Sequence, residues 1–326
     1  MNKSLNKSIF DKKVELKSTR DGFGEALVEA AKINKEIVAL SADLTESVRL
    51  NHFKEHFPER FVEVGVAEQN MMGIAAGMAI AGKIPVVGSY AVFNPGRNWD
   101  QLRVSVCYSN LNVKVIGGHA GLSVGPDGAT HQALEDIAIT RVLPNLDVIV
   151  PCDYEEARKS TKAMSEIHGP LYLRLGRTSI PVITTEDTNF EIGKAEIFKE
   201  GSDVTIVACG IMVYQALVAA NQLEKEGIKA EVINNHTIKP LDTDTIIKSA
   251  MKTKCIVTAE EHQINAGLGS AIAEAIVKEY PVAIEMVGIN NTFGESGDPE
   301  ELMKKYKITS KDIVSSVKKA IERKTK

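Results

Sequence analysis

The stretch "RFVEVGVAEQNMMGIAAGMAIAGKIPVVGSYAVF", residues 60–93, decides the fold. "RFVEVG" is β-branched and ends on Gly65, as a short strand does. "EQNMMGIAAGMAIAG" is rich in Ala and Met, and between Asn70 and Lys83 it has no polar side chain. A helix apolar nearly all round is expected to be buried. Gly73 and Gly77 stand four apart and leave a smooth face on which another element can lie close. "KIPVVGSYAVF" then reads as a strand. One acid, Glu68, stands in the first turn of this apolar helix. On this segment alone, complementing the helix dipole is its simplest role.

The alternation continues on both sides. "TRDGFGEALVEAAKIN" has helical spacing and "EIVALSAD" is a strand ending on polar residues. "NLNVKVIGG", "NLDVIV" and "PLYLRLG" are further strands, with helical "ALEDIAITRVL" and "DYEEARKSTKAMSEI" between them. Strands separated by helices imply an α/β fold with a mainly parallel sheet covered on both faces. Around residues 178–193 the text turns to "TSIPVITTEDTNFEIG" and reads as a linker. The alternation restarts with "DVTIVACG", "KAEVINN", "KCIVTAEE" and "VAIEMVGI". The expected organisation is two domains, each a mainly parallel sheet flanked by helices. An N-terminal extension covers residues 1–14, the first domain 15–180, a linker 181–192 and a smaller domain 193–326.

The 326 residues suffice for two such domains, and 44% apolar with 25% charged residues is a globular composition. A net charge of −4 gives no electrostatic reason to expect nucleic acid. Cys107, Cys152, Cys209 and Cys255 form no close pair, so neither a metal knuckle nor a disulfide framework is expected. That suits a reducing cytoplasm. The N-terminus "MNKSLNKSIFDKKVELKS" has no apolar core of a secretion signal. The longest apolar run is broken by glycines and is short for a membrane span.

In parallel α/β sheets, ligands bind beyond the carboxyl ends of strands. "SADLTES" places Asp43, Thr45 and Ser47 at one such end, and "YLRLGR" places Arg174 and Arg177 at another. "GGHAGLSVGPDGATHQ" offers His119, Asp127 and His131 in a loop longer than a simple connection needs. Arg20 stands at the start of the first helix. Taken singly, Asp43 and Ser47 suit turns or helix caps, Asp127 a "PDG" turn, and Arg174 a surface charge. "EEHQINAGLGSAIAEAI" in the second half lacks the full dinucleotide fingerprint, and no chemistry is expected there.

"SADLTES", "RFVEVGVAEQNMMGIAAGMA", "GGHAGLSVGPDGATHQALEDIAITRVLPNLDVIVPCD" and "YLRLGR" together closely resemble the C-terminal half of transketolases, over roughly residues 15–320. "GPDGATHQ" with "VAEQNM" is a specific combination. The resemblance implies a pyrimidine-binding domain followed by the family's C-terminal domain. Transketolases also carry an N-terminal domain, with a Gly-Asp-Gly signature, that holds the phosphates of thiamine diphosphate and a divalent metal. Nothing like it occurs in this sequence. The implication is the C-terminal subunit of a split transketolase. It would pair with an N-terminal subunit, which holds Mg2+ or another divalent cation, in a heterotetramer. No metal ligand is expected in this chain.

The resemblance assigns roles residue by residue. Glu68 matches the acid that bonds the cofactor's aminopyrimidine and controls its proton. Desolvation would then have to dominate over the helix N-terminus in setting its pKa. Tyr90 and Phe93 match the aromatic positions on the pyrimidine, with Tyr90 where Phe is frequent. Arg20, Ser47, His119 and Arg174 match the residues holding the terminal phosphate of a sugar. Asp127 matches the contact to a hydroxyl near the reacting carbonyl, and His131 the channel histidine beside the chemistry. Pro126 stands where an acid is common, which bears on the loop around Asp127. The nearest rival is the beta subunit of a 2-oxo acid dehydrogenase, whose substrates carry no distal phosphate. Deoxyxylulose phosphate synthase is usually a longer chain with a different histidine loop. A non-catalytic subunit of the same fold is expected to have lost site residues.

Overall fold

In the computed structural model the chain is described over residues 1–11 and 13–324. Residue 12, within the expected extension, and residues 325–326, within the expected second domain, lie outside the described residues. The first sheet has seven strands in the order Thr237–Lys239, Asp147–Ile149, Leu171–Arg174, Lys114–Gly118, Ile84–Tyr90, Ile37–Ser41, Phe61–Glu63. All pairs in it are parallel except the first, which is antiparallel. The second sheet runs Ala283–Ile289, Cys255–Gln263, Val204–Ala208, Ala230–Asn234, Glu196–Lys199, with only its last pair antiparallel.

Side chains alternate across the first sheet as the period of two requires. Leu40, Val87 and Val115 face the helix Glu68–Ile80 through Met71, Met72 and Ala75. Ala39, Val86, Ile116 and Leu173 face the other way, onto Phe23 and Leu27 of the helix Thr19–Ile33. The Met71 side of this core continues into the second domain through Val207, Ile233, Ile256, Leu268 and Ile272.

Three features depart from the sequence reading. The short strand Thr237–Lys239, from the second half of the chain, completes the first sheet beside Asp147–Ile149. Across the expected border of first domain and linker, Ile180–Pro181 pairs with Leu16–Lys17. The helix Glu68–Ile80 is not buried all round. Met71, Met72, Ala75 and Ala76 are covered, but Gly73, Gly77 and Ile80 are exposed. A Cβ built on either glycine would meet nothing within 4 Å. The apolar composition therefore serves two faces, one packed on the sheet and one bare.

Candidate active site

The carboxyl ends of the parallel strands gather the predicted side chains. Glu68 follows the strand Phe61–Glu63 and opens its helix, yet its carboxylate caps nothing: the N-cap residue is Ala67, with no side-chain cap. The side chain is 1% exposed, and its Oε2 accepts a 2.7 Å bond from Arg97 Nη1. No hydrogen bond among the described residues reaches Oε1. Arg97 is 45% exposed, and its guanidinium lies 4.4 Å from the centre of the Phe93 ring. Asn98 Nδ2 donates to the Glu68 carbonyl at 3.2 Å, which fixes the backbone there.

A wall of rings leads away from Glu68. Phe93 lies parallel to Tyr90 at 6.2 Å, and Tyr90 stacks on His119 with centroids 3.9 Å apart. His131 meets Tyr90 and Phe93 edge-on at 5.9 and 5.5 Å. Tyr90 is the last residue of its strand and His119 follows the end of the next, so adjacent parallel strands produce the stack. His119 adopts φ +51°, a conformation sparsely populated by non-glycine residues and concentrated at functional sites.

At the far end of the wall, Tyr90 Oη donates to Ser47 Oγ at 3.2 Å. Arg20 Nη1 donates to the Ser47 carbonyl at 2.9 Å and lies 3.4 Å from His119 Nε2. Arg20 Nε and His119 Nδ1 are buried without a partner. An unmet buried polar group costs about 1–3 kcal/mol. Burial, then the charges of Arg20, Arg177 and Arg49, lower the His119 pKa to about 3. The imidazole is neutral at physiological pH. Burial, then Arg49, also lowers the pKa of Arg20. Guanidiniums crowded this way favour an anion that their planar forks can bind.

Seven predicted residues are thus joined in one run of contacts, with Arg97 bridging Glu68 to the rings: Glu68, Phe93, Tyr90, His131, His119, Ser47 and Arg20. Asp127 lies in the loop Leu122–Asp127, 3.9 Å from Arg177 Nη1. Arg174 is the correction. Its side chain is 6% exposed, its Nε donates to Asp136 Oδ2 at 2.8 Å, and its Nη2 donates to the carbonyl of Glu261 at 2.9 Å. Tyr172 Oη also donates to Asp136 Oδ2, at 2.7 Å. Burial opposes the charge of Arg174, but Asp136 outweighs it and raises the pKa. As the last residue of a central strand, Arg174 is held inward beneath the second domain. Arg177, three residues on, has left the strand and stands 36% exposed beside Asp127, with Nη1 on the Val124 carbonyl at 2.7 Å.

Sequence reasoning also missed Arg97 and Glu63. Glu63 accepts from the backbone N–H of Asp43 and Gly65 at 2.8 and 2.9 Å and from Thr45 Oγ1 at 2.9 Å, which shapes the turn leading to Ser47. For Glu63 a signal existed: an acid at a strand end facing two polar turns. For Arg97 none did, because only the fold brings it 29 residues back to Glu68.

This geometry is that of a thiamine-type pyrimidine-binding domain joined to a second α/β domain. Two family models match: transketolase, pyrimidine binding domain, over residues 16–182, and transketolase, C-terminal domain, over residues 193–313. The 6-deoxy-6-sulfo-D-fructose transketolase subunit SqwH of Clostridium sp. (strain MSTE9) is 42% identical over 97% of this chain and 98% of its own. The putative transketolase C-terminal section of Methanocaldococcus jannaschii is 43% identical over 92% and 95%. A solved structure described as "Split gene transketolase, inactive beta4 tetramer" matches with a TM-score of 0.89 and 48% identity, over 94% of this chain and 99% of that one. The chain belongs to the transketolase family, whose domains imply thiamine diphosphate dependence. No helix among the described residues is long and apolar enough to cross a membrane.

Proposed function

We propose that this chain is the C-terminal subunit of a two-chain transketolase. With an N-terminal subunit it transfers a two-carbon ketol unit from a ketose phosphate to an aldose phosphate. The observation that carries the reading is the run of contacts from Glu68, through Arg97, Phe93, Tyr90 and His131, to the guanidiniums around His119. One end suits proton control and the other an anion. A 2-oxo acid has no distal anion for the second end, and a non-catalytic subunit has no use for the first.

The residues fit half of the cofactor. Glu68 Oε1 is available to a ring nitrogen, and Phe93 offers a pyrimidine a ring that Arg97 covers on one side. The cofactor supplies the nucleophilic carbon, and the protein supplies orientation and proton control. Glu68 holds the pyrimidine's proton, Arg97 steadies the carboxylate, and His131 contacts the sugar beside the reacting carbon. Asp127 takes a hydroxyl. Arg20, Ser47, His119 and Arg177 take the terminal anion. The diphosphate and its Mg2+ fall to the N-terminal subunit. The bare Gly73–Gly77 face, flanked by exposed Val66 and Ile80, is where another chain of a heterotetramer lies. The inactivity named for the 48% identical β4 tetramer agrees with a site completed only by a partner. Four buried, unpaired thiols suit a cytoplasmic setting.

The terminal anion has a second candidate. The name of the Clostridium relative specifies a sulfonated sugar, and a guanidinium cluster with a neutral histidine accepts a sulfonate as well as a phosphate. The test is reconstitution with the N-terminal subunit, thiamine diphosphate and Mg2+ against a panel of donors. The panel holds ketose phosphates, 6-deoxy-6-sulfofructose and hydroxypyruvate. Ketol transfer by the mixture and none by the single chain is expected. Full turnover by the single chain, or oxidative decarboxylation of a 2-oxo acid by the mixture, overturns the reading.

A further inference from the structure

We infer that Glu261, a residue of the second domain, positions the glycine-rich loop that carries His119, Asp127 and His131. The inference deepens the proposed function, because it rests on reading that loop as the wall of the substrate channel.

Glu261 lies near the end of the strand Cys255–Gln263 and is buried. Its carboxylate accepts the backbone N–H of Ser123, in the ascending stem of the loop. Gly121 makes the approach possible. It sits at φ +90°, and a Cβ there would collide with the Glu261 carboxylate. The descending stem is gripped from the same strand, because Gln263 N donates to the Leu134 carbonyl at 2.8 Å. The two stems also bond each other, Gly121 N to the Ala133 carbonyl at 2.9 Å. A second segment of the same domain closes the loop from outside: Gln132 Nε2 donates to the Glu295 carbonyl at 3.0 Å and to the Leu122 carbonyl at 3.1 Å. Arg174, displaced from the channel, donates to the backbone carbonyl of Glu261 rather than to its carboxylate. Among the described residues the carboxylate has no salt-bridge partner. A buried acid is expensive unless hydrogen-bonded, and the bond its carboxylate makes is to the loop, with the Arg174 charge nearby. Burial raises the pKa of Glu261 in keeping with that setting.

The inference predicts that reach, not charge, is what matters. E261D keeps the charge but withdraws the carboxylate by one methylene. E261Q keeps the reach and an acceptor oxygen. E261A removes both. Hydrogen–deuterium exchange on the intact single chain reads the loop directly. Amides of residues 120–133 are expected to exchange about 10-fold faster or more in E261D and E261A, the scale of one lost charged hydrogen bond. In E261Q they stay within about threefold, and in all three variants the strand Ile84–Tyr90 is unchanged. In the reconstituted complex, KM for a phosphorylated ketose rises about 10-fold in E261D. Turnover of hydroxypyruvate with an unphosphorylated acceptor falls as well, because Asp127 and His131 stand on the same loop.

Unchanged loop exchange in E261D, or equal acceleration in E261Q, overturns the inference. Should E261A fail to fold, E261D and E261Q decide alone. A parent complex without transketolase activity removes the proposed function and leaves the exchange result to judge the positioning role.

Discussion

Two helices of this protein begin beside a buried glutamate, one in each domain. At Leu268–Glu279 the acid is Glu260, from the preceding strand. Its Oε2 accepts from Leu268 N at 2.7 Å and its Oε1 from Gly269 N at 2.8 Å. Both oxygens are consumed by the helix N-terminus. Burial raises its pKa to about 7 against the lowering effect of those N–H groups. At Glu68–Ile80 the acid is in the helix itself, caps nothing, and keeps one oxygen without a hydrogen bond among the described residues while the other takes the half-exposed guanidinium of Arg97. An acid satisfied by its own fold is finished work, whereas an acid left half-satisfied next to a channel is available to a ligand. Burial alone does not separate the two; the accounting of each oxygen does.

The sharpest way to break this comparison is to remove each charge in turn. In the reconstituted complex E68Q should lower kcat by about 10²–10⁴-fold, the usual range for general acid–base groups, with little change in thermal midpoint. E260Q should keep most of its turnover. Equal losses would erase the distinction.

The two arginines of "YLRLGR" give the next contrast. R174A leaves Asp136 buried without its cation and should lower unfolding stability by about 3–5 kcal/mol, read by urea denaturation. R177A should leave stability nearly unchanged and raise KM for a phosphorylated ketose by roughly 10- to 150-fold, with R20A alongside it. The opposite pattern would return Arg174 to the channel.

Glu260 makes a smaller prediction with a sign. E260Q turns an amide NH2 toward one helix N–H, so it should lose about 1–3 kcal/mol at pH 5. The folded pKa of about 7 lies above the unfolded carboxyl value. The folded state therefore holds an extra proton between those values, and this contribution to stability declines as pH rises through the window. Gln has no such proton, so the deficit of E260Q relative to the parent should shrink from pH 5 to pH 8. A deficit that grows would contradict the assignment.

The smallest effect concerns the bare face of Glu68–Ile80. Ala at Gly73 or Gly77 meets no atom in the single chain and should stabilise it by up to about 1 kcal/mol through helix propensity. Sedimentation of the mixture with the N-terminal subunit should show weaker association. Unchanged association would mean that the face is solvent surface.

The parallel strands were legible because central strands read as apolar β-branched runs bounded by turns, as in "EIVALSAD" and "DVTIVACG". The strands that escaped are short edge pieces, Leu16–Lys17, Ile180–Pro181, Glu196–Lys199 and Thr237–Lys239, whose pairing is set by tertiary contact and not by local pattern. At the site, the glycine-rich loop and Glu68 stood out because their composition departs from the needs of a plain connection. The choice between Arg174 and Arg177 did not. Both are cations at a strand end, and only the fold shows that the last strand residue turns inward to Asp136 while the one three residues on stands beside Asp127. Arg97 and Glu261 were invisible for a different reason: each acts on a partner distant in sequence.

The strand Thr237–Lys239 carries a consequence for synthesis. Among the described residues it is the only neighbour of Asp147–Ile149 on that edge of the first sheet. At roughly 5–20 residues per second, the ribosome needs several seconds to make the intervening chain. Through that interval the nascent first domain presents an open edge, the kind of surface on which other chains add strands. The first sheet is thus closed only after much of the second domain has emerged, and a chain released early, after residue 182 for example, keeps that edge open for good.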